Sequence, residues 1–344
     1  MSAPAAAPPS APPQAARKAL MQLLVGNQLQ QAVHVAARLG IADLLAGGPR
    51  SAEELARDAG ADPGALRRLL RALAAFGVFA EEAGGRWELT PAAELLRAGR
   101  PGSMRAFALW SGGVSYRVFG ALEHSVRTGE PAFDRLFGAE FFEYLAAHPE
   151  DGAVFDEMMS WNTAPLAPLV AARGFAGAET VVDVGGGRGE LVAGLLRAHP
   201  RMRGVLFDHP RVGPRAASWL EAAGVADRCG VVSGDMLQSV PPGGDAYLLK
   251  SVLHGLDDEA AARVLRNVRR AMPGGGRLLL VEFVLPPGNE PFPGKLMDLL
   301  MLVGGRGRER TEEEFRSLLA GAGFLLADVA PTPYGLSIIE AGPA

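Results

Sequence analysis

Residues 180–191 read Thr180-Val-Val-Asp183-Val-Gly185-Gly186-Gly187-Arg188-Gly189-Glu190-Leu191, an apolar run and a glycine cluster, and Leu191 is followed by Leu195 and Leu196 at helical spacing. A β-branched run bounded by glycine predicts a buried strand, and the spacing beyond it predicts a helix. Glycine lets the backbone turn sharply and lets a ligand approach with no Cβ in the way. Strand, glycine turn and helix together begin an open α/β sheet, whose ligands bind at the strand tips.

Toward the C-terminus the alternation continues. Apolar runs at 204–207, 230–233, 246–249 and 277–284 are separated by helical patterns, which predicts a parallel sheet covered on both faces. Runs at 324–330 and 335–340 lie too close together for a crossover helix, so they should pair antiparallel. The expected fold is α/β, a Rossmann-like seven-stranded sheet ending in an antiparallel hairpin.

Three further strand tips carry chemistry. Asp208 closes the second strand, 19 residues after Gly189, where a carboxylate can accept from two ribose hydroxyls. Asp235-Met236 follows the third, an acid for an exocyclic amine beside a thioether for a purine face. Lys250 closes the fourth, and His254 follows it. A nicotinamide dinucleotide fits poorly, because Gly185-x-Gly187-x-x-Glu190 puts an acid where the dinucleotide fingerprint takes Gly or Ala. S-adenosylmethionine has a ribose and an adenine but no phosphate, and its sulfonium tolerates nearby acids. The residues therefore point to methyl transfer.

Upstream, Ser51-Ala-Glu-Glu has the capping-box arrangement and starts a helix to Ala59. A second helix runs to Phe76, and Val78-Phe79 and Trp87-Glu88-Leu89 flank Gly84-Gly85 as a hairpin. Helix, turn, helix and hairpin outline a winged helix, preceded by helices over 14–46. A DNA-binding regulator reading through Arg67, Arg68 and Arg71 is one use of that shape. Against it, residues 51–90 hold five Arg and seven Asp plus Glu, whereas phosphate contact needs clustered positive charge. The other use is packing or dimerisation.

The 344 residues make two domains the first expectation. Lys plus Arg number 34 against 38 Asp plus Glu, so no basic field recruits nucleic acid or an anionic membrane. Cys229 alone allows no intramolecular disulfide, which suits a cytoplasmic protein. Five prolines in the first 13 residues and no basic start before an apolar run argue against a signal peptide, and 1–13 read as a disordered tail. The uncharged stretch 19–37 carries too many polar side chains for a membrane span. The expected division is then a winged-helix dimerisation domain over 14–100, a helical acceptor-pocket segment over 101–177 and a cofactor-binding domain over 178–344.

The chain resembles the class I S-adenosylmethionine-dependent O-methyltransferases of the caffeate type, which include plant phenolic and bacterial natural-product enzymes. The resemblance covers nearly all of it and rests on VDVGGGRG (182–189), Asp208, GDM (234–236), KSVLHGLDDE (250–259), PGGGRLLLVE (273–282) and GRERTEEEF (307–315) in that order. It implies that Gly185 and Gly187 lie against the methionine part of S-adenosylmethionine, that Asp208 binds the ribose, that Asp235 and Met236 hold the adenine and that Lys250 also touches the cofactor. It implies His254 as general base, with Glu282 and Glu309 flanking it. A neutral imidazole near pKa 6.5 can take a phenol's proton once the imidazolium is stabilised by such acids.

One departure stands out. The family reads His-Asp-Trp at the base, whereas Gly255-Leu256 follows His254 here, leaving less to hold the ring.

No His/Asp/Glu grouping has metal-ligand spacing, so no metal is expected. The expected activity is O-methylation of a phenolic hydroxyl on a small aromatic secondary metabolite by a cytoplasmic homodimer. Phe155, Met159, Trp161, Asn162 and Met301 are the expected acceptor contacts. A relative that keeps the cofactor structurally and decarboxylates or hydroxylates its acceptor is the alternative within the family.

Overall fold

A computed structural model of the chain describes residues 14–160, 163–173, 175 and 177–344. Residues 1–13, including the expected tail, and Trp161 and Asn162 lie outside the described residues. The chain forms two compact units, divided between Gly113 and Val114.

In the first unit, helix Ala52–Ala59 starts at the expected capping box, with Ser51 Oγ and Glu54 each bonding the other's backbone N–H. Helix Pro63–Ala74 starts at Asp62, whose side chain accepts from Ala65 N–H, and stops two residues before the expected Phe76. β1 (Arg50–Ser51), β2 (Phe79–Glu81) and β3 (Arg86–Leu89) form a sheet of order β1-β3-β2, the wing of a winged helix. Its core holds Leu55, Leu66, Leu70, Leu73, Phe79 and Trp87, packed with Ala36 and Ile41 of the preceding helices. Arg67, proposed above for DNA, is paired with Glu53.

The second unit is built on β4 (Thr180–Val184), β5 (Arg203–Asp208), β6 (Cys229–Ser233), β7 (Ala246–Lys250), β8 (Arg277–Glu282), β9 (Val284–Leu285), β10 (Arg310–Thr311), β11 (Phe324–Pro331) and β12 (Ser337–Pro343). Seven of these form one sheet, β11-β12-β8-β7-β4-β5-β6, parallel from β8 to β6, with β12 antiparallel to both of its neighbours. Alternate side chains point to opposite faces of a strand. Val181, Leu206, Leu248 and Leu279 accordingly enter one apolar layer, and Val182, Phe207, Tyr247, Leu249, Leu278 and Leu280 enter the other. Burial on both faces is the reason these strands read as continuous apolar runs.

Two expected boundaries are corrected. The run 277–284 is two elements: β8 ends at Glu282, and β9 leaves the main sheet to pair in parallel with β10. The last strand begins at Ser337, because Gly335 turns the chain at φ +85°.

Helices of 114–177 belong to this unit, and Leu166, Ala167 and Val170 of helix Thr163–Ala171 pack against Leu191, Leu195 and Leu196 in one apolar cluster. No helix among the described residues is long and apolar enough to cross a membrane.

Candidate active site

The glycine turn after β4 needs its glycines for two different reasons. Gly187 has φ +58° with open space where a Cβ would stand, so its backbone conformation is what excludes other residues. Gly185 has φ +70°, and a Cβ there would meet Val252 Cγ2 at 2.7 Å and Met236 Cε at 3.4 Å. Asp208 Oδ2 accepts from Gly187 N–H at 2.8 Å and Oδ1 from His209 N–H at 2.6 Å, tying the glycine turn to the tip of β5. Burial nonetheless raises the Asp208 pKa above the ordinary carboxylate value, outweighing those two bonds. Asp235 lies beyond β6, exposed, and its Oδ1 caps Leu237 N–H at 2.8 Å. The Met236 carbonyl is held by Asn267 Nδ2 at 2.7 Å.

Behind this rim lie two charged groups, the expected Lys250 and the fully buried Asp183, whose role sequence reasoning missed. Asp183 is pushed up to about 7 by burial and by the charge of Asp208, and its Oδ2 has no hydrogen-bond partner. Lys250 is shifted down by burial, against the opposing pull of Glu282, Glu190 and Asp183. Its Nζ reaches the Met159 carbonyl at 3.4 Å, which sets the end of helix Pro149–Ser160 beside the tip of β7.

His254 stands in a short 3-10 turn, Leu253–Gly255, just after β7. Its Nδ1 is 2.8 Å from Glu309 Oε1. That contact assigns the neutral ring as the Nδ1–H tautomer donating to the carboxylate, with the lone pair on Nε2. Glu282, fully buried at the end of β8, accepts from Val252 and Leu253 N–H at 2.9 Å each and so fixes the chain entering that turn. Glu309 is itself fixed through its N–H, which donates to Asp298 Oδ1 at 2.9 Å from helix Pro293–Gly304.

The β9–β10 ladder explains how two acids distant in sequence meet, since it holds the segments following Glu282 and Glu309 side by side. One ligating atom from each of His254, Glu282 and Glu309 lies within 4.8 Å of the others, a grouping that sequence spacing could not disclose. Glu282 Oε1 is occupied by backbone donors and His254 Nδ1 by Glu309, so these atoms are organised around the imidazole. The outer oxygens, Glu282 Oε2 and Glu309 Oε2, are buried without a hydrogen-bond partner.

Burial lowers the His254 pKa, but the Glu309 hydrogen bond and the charges of Glu282 and Glu309 outweigh it, and the net shift is upward from 6.5. Burial raises the Glu282 pKa, with His254 opposing. A base works in its deprotonated form, so the acidic limb of kcat is expected above pH 6.5. Glu309→Gln removes a stabilising charge from the imidazolium, and a kcat–pH profile should show that limb moved to lower pH. An unmoved limb would mean that Glu309 does not govern this proton.

Of the expected acceptor residues, Phe155 and Met159 lie four apart on one face of their helix, with the Phe155 ring 5.1 Å from that of Phe141. Met301 lies on the helix that carries Asp298, three residues further on. Asp257 opens helix Asp258–Ala271, its Oδ1 accepting from Ala260 N–H.

A family model for the O-methyltransferase domain matches residues 119–325, and one for the O-methyltransferase dimerisation domain matches residues 21–99. The chain belongs to the O-methyltransferase family. It is an S-adenosylmethionine-dependent O-methyltransferase. Phenazine O-methyltransferase PhzM of Lysobacter antibioticus is 48% identical over 325 residues, covering 94% of this chain and 95% of that protein. The crystal structure of LaPhzM superimposes with a TM-score of 0.93 at 47% identity, over 96% of this chain and 99% of that one. The chain is also similar to NcsB1 from neocarzinostatin biosynthesis, solved with S-adenosylmethionine and 2-hydroxy-5-methyl naphthoic acid, at 36% identity and TM-score 0.80 over 92% and 96% of the two chains.

The residues present fit the cofactor of this O-methyltransferase family. Gly185 leaves room that a Cβ would fill, Gly187 exposes backbone at the turn, and Asp208 retains lone pairs beyond its two N–H bonds.

Proposed function

We propose that this methyltransferase acts on a hydroxyl of a planar, fused-ring aromatic metabolite, with His254 as the general base. The observation that carries the reading is the 2.8 Å Nδ1–Glu309 contact, which leaves Nε2 as the free basic atom at a strand tip. In this reading Gly185 and Gly187 accommodate the methionine part of the cofactor and Asp208 takes the ribose. Asp235 and Met236 take the adenine, and Lys250 also contacts the cofactor. When bound, S-adenosylmethionine supplies a methyl group on a positively charged sulfur.

The chain's own work is alignment and proton removal. Phe155, Met159 and Met301 line the acceptor, and its oxygen is held with the phenolic proton toward His254 Nε2. As the oxygen lone pair forms the bond to the methyl carbon, the carbon–sulfur bond breaks, its electrons staying on sulfur. The phenolic proton passes to Nε2, and Glu309 and Glu282 stabilise the imidazolium until it releases that proton to water. The naming of PhzM and the naphthoate bound to NcsB1 support a two- or three-ring acceptor. The matched dimerisation domain, with Leu20, Met21, Leu23 and Leu24 exposed on helix Gln14–Leu24, supports a homodimer. A single free cysteine suits the cytoplasm.

The test is incubation with S-adenosylmethionine and 1-hydroxyphenazine or a hydroxynaphthoate, read by mass spectrometry. A product one methylene heavier, identified as a methoxy compound, is expected. Cofactor binding with no methylated product from any hydroxylated aromatic would favour the decarboxylating or hydroxylating alternative.

A further inference from the structure

We propose that Arg310 is a positioning residue for His254, its buried guanidinium gripping the backbone on either side of the imidazole-bearing residue. The inference rests on the reading of His254 as the base.

Arg310 is 1% exposed. Its Nη1 donates to the Leu253 carbonyl at 2.8 Å and, more weakly, to the Arg308 carbonyl at 3.4 Å. Nη2 donates to the Leu256 carbonyl at 2.9 Å, and Nε and Nη2 reach Asp258 Oδ1 at 3.0 and 2.9 Å. Every nitrogen of the group is therefore spent on protein atoms, so Arg310 acts through the turn it holds rather than on the reacting atoms. Leu253 and Leu256 bracket His254 and Gly255, and the rigid planar fork presents donors to both carbonyls in one fixed geometry.

Fold stability alone does not explain a charge in this place. A buried guanidinium pays a large desolvation cost, and an apolar side chain of similar volume is often neutral or better in such a position. What the charge adds here is a defined geometry for residues 253–256, where Gly255 has no side chain to anchor the turn.

Two more contacts converge on the same turn. A Cβ at Gly307 would stand 2.0 Å from the His254 carbonyl oxygen and 2.6 Å from Gly255 C, so the 307–310 segment lies directly against the turn. Ser251, the one described non-glycine residue with positive φ, at +53°, starts the turn in a left-handed conformation that other contacts must maintain. Glu309 thus holds the ring and Arg310, its neighbour at the start of β10, holds the backbone of the turn. The charged groups facing the imidazole are Glu309, Glu282 and Lys250.

The experiment compares the full chain with Arg310→Met, Arg310→Lys, His254→Ala and the His254→Ala/Arg310→Met double variant, using 1-hydroxyphenazine as acceptor. Arg310→Met should lower kcat about 30-fold, within the roughly hundredfold that a misplaced catalytic group costs. S-adenosylmethionine affinity by calorimetry should stay within about twofold. Arg310→Lys, which keeps the charge but not the planar fork, should recover part of the rate and remains informative if the methionine variant does not fold. In the His254→Ala background, Arg310→Met should cost nothing further, since two residues acting through one group are not additive.

Equal losses in both backgrounds, or an unchanged kcat in both single Arg310 variants, would overturn the role of Arg310. A wild-type rate in His254→Ala would instead overturn the base reading. A second readout needs no turnover: nitrogen chemical shifts of the His254 imidazole against pH. The wild type should show one Nδ1–H tautomer and the Arg310 variants a mixture, and identical titrations would overturn the proposal.

Discussion

His254→Ala is expected to lower kcat by about a thousandfold, within the 10²–10⁴ typical of a positioned general base, while leaving the dissociation constant of S-adenosylmethionine unchanged. A phenol near pKa 10 and an imidazole near 6.5 are mismatched by about 3.5 units, or close to 5 kcal/mol. The site narrows that gap from the imidazole side. Burial disfavours the imidazolium, but the hydrogen bond to Glu309 and the charges of Glu309 and Glu282 raise the His254 pKa overall. Alanine removes the acceptor of the proton and leaves water, which lacks any such stabilisation. His254→Asn, which keeps a polar side chain without a basic nitrogen, should lose nearly as much. Of the residues proposed for the cofactor, the glycine turn, Asp208 and Asp235 follow β4, β5 and β6, and only Lys250 shares the β7 tip with His254, so a calorimetric titration should separate binding from turnover. A variant that methylates at the wild-type rate would leave His254 with no base role.

Asp208→Ala should weaken S-adenosylmethionine binding by about a hundredfold, roughly 2.7 kcal/mol, or two hydrogen bonds to a charged acceptor at about 1.5–3 kcal/mol each less partial replacement by water. Part of the loss is indirect. Asp208 accepts from Gly187 N–H and His209 N–H, so alanine also frees the glycine turn proposed to hold the methionine part of the cofactor. Asp208→Asn keeps one acceptor oxygen and should lose less. At saturating cofactor, kcat of Asp208→Ala should lie within a few-fold of wild type, because His254 follows β7, Glu282 ends β8 and Glu309 precedes β10. Unchanged affinity in the calorimeter would place the ribose elsewhere.

The parts of this site that depend on local pattern were legible in the sequence. Asp208, Asp235 and His254 follow apolar runs directly, and β/α alternation places the end of each such run on one edge of the sheet. The glycines at 185 and 187 were legible because a strand–turn–helix junction requires them. The parts that depend on long-range pairing were not. The run 277–284 reads as one strand, yet it breaks at Phe283 so that β9 can pair with β10, and that break brings Glu282 to Glu309. Arg310 stood in plain view within GRERTEEEF, but only its reach to Leu253 and Leu256 distinguishes it from the solvated arginines nearby. Asp298 has no sequence neighbours that mark it, because its partner Glu309 comes from another element.

The base role of His254 is tested most directly by the ratio of wild-type to His254→Ala rates over 1-hydroxyphenazine and ring-substituted derivatives of graded hydroxyl pKa. If His254 Nε2 removes the phenolic proton, the ratio should fall from about a thousand toward one as the acceptor's pKa drops below the assay pH, since an ionised acceptor has no proton to give. A ratio that stays constant across the series would contradict it.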